Sequence, residues 1–144
     1  MATLELQGFE DLEDAMRRIA EIPFPVTEEA LDAMATMAAE KIRSTGESMG
    51  VRDPESDVHI LDQITKAKPK QTASGGYADI TFRGSRTRNG IRTRNAEIAF
   101  INEYGKRGQD PRPFIRQAAE QGADAIAAPG EKIVGDWFQK TAGS

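Results

Sequence analysis

Cysteine is absent from this chain of 144 residues. That excludes disulfides, thiol nucleophiles and thiolate metal sites, and agrees with a reducing compartment. Histidine occurs once, at His59, with no serine elbow and no metal-ligand spacing around it. Neither a catalytic triad nor a histidine-rich metal site is therefore expected. Apolar runs last only a few residues, so no membrane span is expected. The first residues lack a basic stretch followed by an apolar one, so no secretory leader is expected either. Gly75-Gly76 and Arg83-Gly84-Ser85 match neither a P-loop nor a dinucleotide fingerprint. The carboxylates Glu10, Asp11, Glu13 and Asp14 cluster where a helix would begin, a place that attracts anions for dipole reasons. No arrangement resembles an active site, and the expectation is a protein without catalytic activity, metal or cofactor.

What is present begins with size and charge. A chain of this length fits one domain and can bury roughly 70% of its unfolded surface without a staple. A hydrophobic fraction of 38% and a mean hydropathy of -0.55 suit a small domain with polar loops. The net charge of -4 conceals an uneven distribution. Residues 1–65 carry 5 Lys/Arg against 15 Asp/Glu, whereas residues 83–116 carry 9 Lys/Arg against 3 Asp/Glu. Such a dipole suits head-to-tail contact between identical subunits or a basic face toward DNA. It equally suits a solvated surface that keeps the domain in solution.

Periodicity supplies the elements. Leu4 and Leu6 alternate with polar neighbours, which reads as a short strand over 2–7 ended by Gly8. Leu12, Ala15, Met16, Ile19 and Ile22 recur at helical spacing, so a helix is expected over 10–22, closed by Pro23 and Pro25. A second helix is expected over 28–44, capped by Thr27, with Leu31, Met34, Ala38 and Ile42 as its stripe and Gly46 just past its end. Residues 45–57 read as a mobile loop. Val58, Leu61 and Ile64 suit one or two helical turns capped by Asp57; a strand near 64–69 is an equal reading. Ala78, Ile80 and Phe82 alternate with Asp79, Thr81 and Arg83, as in a strand with one wet face. Asn89-Gly90 is a strong hairpin signal and joins expected strands at 77–87 and 91–103. Ile98, Ala99, Phe100 and Ile101 then read as a strand covered on both faces. Pro113 suits the first turn of a helix over 113–127, which Pro129-Gly130 would interrupt or kink before a last short amphipathic piece. The whole reads as a single α+β domain over 1–144: a small antiparallel sheet with a projecting hairpin, packed by N- and C-terminal helices. Its expected core contains Leu31, Met34, Ala38, Ile80, Phe82, Ile98, Phe100, Phe114 and Ile115.

The hairpin arms are rich in arginine: Arg83, Arg86, Arg88, Arg92 and Arg94. Aromatics are scarce nearby, so a base-stacking surface is not expected. Sequence-independent phosphate contact is one reading; a charged edge that resists aggregation is the other. A small nucleic-acid-binding protein that uses residues 83–94 is thus one functional alternative.

The segment Glu97-Ile98-Ala99-Phe100-Ile101-Asn102-Glu103-Tyr104-Gly105, followed by Asp110-Pro111-Arg112-Pro113-Phe114-Ile115, points elsewhere. It resembles the signature of the tail-completion, neck or head–tail joining proteins of long-tailed bacteriophages. In that family a strand ending in an acidic residue, an aromatic and Gly leads through a short loop into an Arg-Pro-Phe helix start. Glu103, Tyr104, Gly105, Arg112, Pro113 and Phe114 carry the match. The resemblance implies a structural virion protein that completes the tail or joins it to the head connector. It implies a ring of identical subunits, six by resemblance, in contact with head-connector and tail-tube proteins and with room for non-specific contact with DNA in the channel. The place would be the host bacterial cytoplasm during assembly, then the virion of a phage or prophage. Tail terminator, tail completion and head-side neck stations all remain open. Phe114 is expected in the core against Phe100 or Trp137, and Arg112 is expected to pair with Glu103 or Glu97. Glu103, Tyr104, Lys106, Arg107 and Arg112 are the candidate subunit interface, and Arg83, Arg86, Arg88, Arg92 and Arg94 the candidate face toward a partner or DNA.

Overall fold

A computed structural model describes Arg17, residues 21–51 and residues 59–142. The strand expected over 2–7, most of the helix over 10–22, the acidic cluster and residues 52–58 lie outside the described residues. Helix α1 runs Phe24–Ser48. A 3₁₀ turn, Ile60–Gln63, leads into β1, Ile64–Lys66. Strands β2, Lys70–Thr72, and β3, Gly75–Tyr77, form one hairpin. Strand β4, Ile80–Phe82, returns antiparallel to β1, with Ile64 opposite Phe82 and Lys66 opposite Ile80. Strands β5, Ser85–Arg88, and β6, Ile91–Arg94, form the second hairpin. Helix α2, Asn95–Tyr104, follows at once, and α3, Phe114–Ala142, ends the described chain. The class is α+β, but among the described residues the strands form three separate two-stranded ladders in place of one small sheet.

Helices α1 and α3 pack antiparallel and very closely, because glycines stand where they touch. A Cβ on Gly130 would lie 2.5 Å from Sδ of Met34, and one on Gly122 would lie 3.2 Å from Cγ of Lys41. The slim Ala/Gly face of α3 is what admits α1. The same close approach holds at the other end, where a Cβ on Gly46 would lie 2.5 Å from a Leu61 methyl and 3.2 Å from the Phe114 ring. Gly46→Ala gains about 1 kcal/mol of helix propensity, whereas overpacking a filled core costs about 1–3 kcal/mol. Leu61 and Phe114 are fully buried and have nowhere to move. The expected result is a net loss of stability, visible as a lower midpoint in urea; a higher midpoint would show that the core yields.

Several expectations need correction here. Helix α1 starts three residues before the expected Thr27 cap, with Pro23 at the cap position and Pro25 inside the first turn, where a missing N–H costs nothing. Gly46 is not the stop signal. The helix runs on to Ser48 and closes with a Schellman motif: the Val51 amide donates to the Gly46 carbonyl and the Gly50 amide to the Glu47 carbonyl, with Gly50 at φ 74°. Residues 45–48 are thus helical rather than loop. Helix α3 continues through Pro129-Gly130, so Ile133, Val134, Trp137 and Phe138 belong to it.

The largest correction concerns 91–103. Only Ile91–Arg94 is strand; Asn95–Tyr104 is helix. Its buried positions are Asn95, Ala99 and Glu103, while Glu97 between the first two is exposed; a strand would have turned 95, 97 and 99 to the same face. Phe100 therefore points outward and is 62% exposed, so it leaves the expected core. The run expected over 77–87 is divided among β3, β4 and β5, though Ala78, Ile80 and Phe82 do face inward as the alternation implied. Leu31, Met34, Ala38, Ile98 and Ile115 are half-buried. The core centres on Ile42, Val51, Ile60, Leu61, Ala99, Phe114 and Ala118.

Candidate functional site

The residues of the signature form a joint between α2 and α3. Gly105 ends α2 at φ 77°, its amide donating to the Ile101 carbonyl. A Cβ there would lie 2.9 Å from both the Gln109 carbonyl and the Pro111 nitrogen, so both sterics and backbone require glycine. Lys106 and Gln109 exchange two backbone hydrogen bonds around Arg107-Gly108, with Gly108 at φ 83°, the positive value that the third residue of a type II turn needs. The chain then reverses through Asp110-Pro111 into Arg112, whose amide donates to the Asn102 carbonyl.

Glu103 holds this joint from within. It is 8% exposed, and its two carboxylate oxygens accept from the Ile115 amide at 2.8 Å and the Arg116 amide at 2.9 Å. These are orphan donors of the first turn of α3. The residue before that turn, Pro113, has no side-chain acceptor, so the last turn of α2 supplies the cap instead. The negative charge also faces the positive end of the helix dipole. Arg112 pairs with neither Glu103 nor Glu97, because the capped carboxylate is already engaged; its guanidinium donates to the Gly50 carbonyl at 2.8 Å and ties the joint to the end of α1. Phe114 is fully buried, and its ring meets Phe82 edge-on at 6.0 Å rather than Phe100 or Trp137. Trp137 packs on Phe138, and Phe100 on Tyr104.

Of the five candidate interface residues, Glu103 is thus turned inward. Tyr104, Lys106, Arg107 and Arg112 are exposed around the turn. Tyr104 is 67% exposed and stacks on Phe100 with ring centroids 4.7 Å apart. The pair flanks an open apolar groove of about 580 Å³, bounded by β4, α2 and α3.

The hairpin projects as expected, with Asn89 at φ 53° and Gly90 at φ 76°, both positive as a type I′ turn requires. Its register puts Arg92 and Arg94 on one face with Ser85 and Thr87, and Arg86 and Arg88 on the other with Thr93 and Ile91. The arginines therefore do not form one basic surface. Arg92 donates to Ser85 Oγ at 2.9 Å, and Arg94 pairs with Glu97 at 3.2 Å. Arg86 is half-buried and donates to Asn95 Oδ1 at 3.3 Å. Asn95, which sequence reading passed over, is 1% exposed and also donates to the Arg83 carbonyl at 2.9 Å, fastening the hairpin base to α2. An asparagine inside the strand expected over 91–103, where that residue type is disfavoured, is the only sign the sequence offered. Arg83 and Arg88 are exposed.

No helix among the described residues is long and apolar enough to cross a membrane. Comparison of the chain with protein-family models, curated proteins and solved structures finds no match.

Proposed function

We propose that this chain is a structural assembly protein of a phage or prophage neck. It acts by contact rather than catalysis, as a ring of identical subunits that completes the tail or joins it to the head connector. The observation that carries this reading is the match at Glu103, Tyr104, Gly105, Arg112, Pro113 and Phe114. The geometry supports an architectural use of those residues: one caps, one turns, one ties and one fills the core. The exposed aromatic pair and the projecting hairpin offer two different surfaces, which a ring with heterologous contacts needs.

The test is charge reversal at Arg83, Arg88 and Arg92, which are exposed. Arg86 is left out, because reversing a half-buried partner of Asn95 would disturb the fold. The triple variant is expected to fold normally and to fail in particle joining. Electron microscopy of lysates should show filled heads apart from tails; a normal yield of joined particles would remove the hairpin from the mechanism. A second reading, duplex contact through the exposed hairpin arginines, predicts tight binding by the monomer that falls steeply with salt.

A further inference from the structure

The open groove has the features of a strand-acceptor site. Ile80, Thr81 and Phe82 all line it, so β4 meets the groove edge-on. Asp79 and Arg83 exchange hydrogen bonds with the β1 side, through the Ala67 amide and the Gln63 carbonyl. By alternation the amides and carbonyls of Ile80 and Phe82 point the other way, and none has a hydrogen-bond partner among the described residues. Open strand edges beside apolar surface are templates for another chain. Ala99, Phe100, Tyr104 and Ile115 supply the apolar wall, and Arg116 and Arg94 stand at the rim.

We propose that this groove takes an extended segment from a neighbouring copy of the chain, residues 3–7 followed by the acidic run 10–14, paired to β4 as an added strand. This deepens the assembly reading and rests on it. The chain holds one segment of the right chemistry. Thr3-Leu4-Glu5-Leu6-Gln7 alternates polar and apolar residues, so Leu4 and Leu6 would share one face, and Glu10, Asp11, Glu13 and Asp14 complement the arginine rim. Residues 1–16 lie outside the described part of the chain, and their sequence alone marks them as the donor. Donation goes to a neighbour because a ring of identical subunits needs two complementary surfaces on each copy, here a donor segment and an acceptor groove.

Sedimentation velocity of the full chain tests this with two variants. One carries Phe100→Asp and Tyr104→Asp in the exposed groove wall; the other carries Leu4→Asp and Leu6→Asp in the donor. The wild type is expected to self-associate, and each variant to weaken association by about 100-fold or more. Mixed in equal amounts, the two variants should form one-to-one dimers and nothing larger, since one retains a donor and the other a groove. Amide exchange of Ile80 and Phe82 should slow about tenfold or more on association of the wild type. Should the aspartates unfold the protein, Phe100→Ser with Tyr104→Ser serves in their place. A wild type that stays monomeric, a groove variant that associates like wild type, or a mixture that stays monomeric would each overturn the proposal. If association is lost while heads and tails still join in lysates, the groove contact stands and the neck reading fails; unchanged association with unjoined particles says the reverse.

Discussion

Phe114→Ala lowers the free energy of unfolding by about 3–5 kcal/mol, the cost of removing a large buried ring and leaving a cavity. The residue is fully buried, and three elements close on it: Phe82 of β4 edge-on at 6.0 Å, Leu61 of the 3₁₀ turn, and Gly46 of α1. None of these can move in to fill the space, because α1 is held by its glycine contacts along α3 and β4 by its ladder to β1. A domain of this size is stable by about 5–15 kcal/mol, so the loss is a large fraction of the total. It should appear as a drop in melting temperature on the order of 10 °C. An unchanged melting temperature would mean that the ring does not hold α1, β4 and α3 together.

Glu103→Ala costs about 2–4 kcal/mol, because two backbone donors at the start of α3 lose their acceptors at once and each such loss costs about 1–3 kcal/mol. The pairing with the helix dipole is lost with them. Glu103→Gln keeps one acceptor oxygen in place and should lose roughly half as much. A surface acid would behave differently, with changes within about ±0.5 kcal/mol for either variant. Urea midpoints of the two variants against wild type separate these outcomes. Equal, near-zero effects would place Glu103 at a surface rather than under the joint.

The parts of the fold that were legible from sequence are those where one local signal had one physical meaning. Asn89-Gly90 sits at two positive φ values that few other pairs adopt, and the turn formed where it was expected. Ile80 and Phe82 face inward from β4 with Thr81 exposed between them, as the alternation implied, though Ala78 lies outside the strand. Phe114 was placed in the core correctly, though with the wrong neighbours. Failure came where one pattern had two meanings. Ile98, Ala99, Phe100 and Ile101 form an apolar run short enough for either a buried strand or a helix, and the structure makes it a helix that buries Asn95, Ala99 and Glu103 and leaves Glu97 exposed. Two of those three positions are polar, so hydrophobicity alone could not reveal the face.

The same ambiguity affected α1. Gly46 and Gly50 both follow the apolar stripe, and only packing distinguishes a glycine that admits Leu61 from one that ends a helix at φ 74°. The candidate site was partly legible. Tyr104, Lys106, Arg107 and Arg112 do surround an exposed turn, but Glu103 caps α3 from a helix that sequence reading had as a strand. The groove was not legible at all, because it requires β4, α2 and α3 to meet, and 13 residues separate Phe82 from the first exposed wall position at Ala96.

Complementation in vitro tests the proposed role in joining heads to tails. Lysate from a phage or prophage carrying this gene disrupted should contain filled heads and finished tails that remain separate, and purified protein added to that lysate should restore joined, infectious particles in proportion to its concentration. Joined and infectious particles without the protein, or separate heads and tails that the purified protein leaves apart, would contradict the claim.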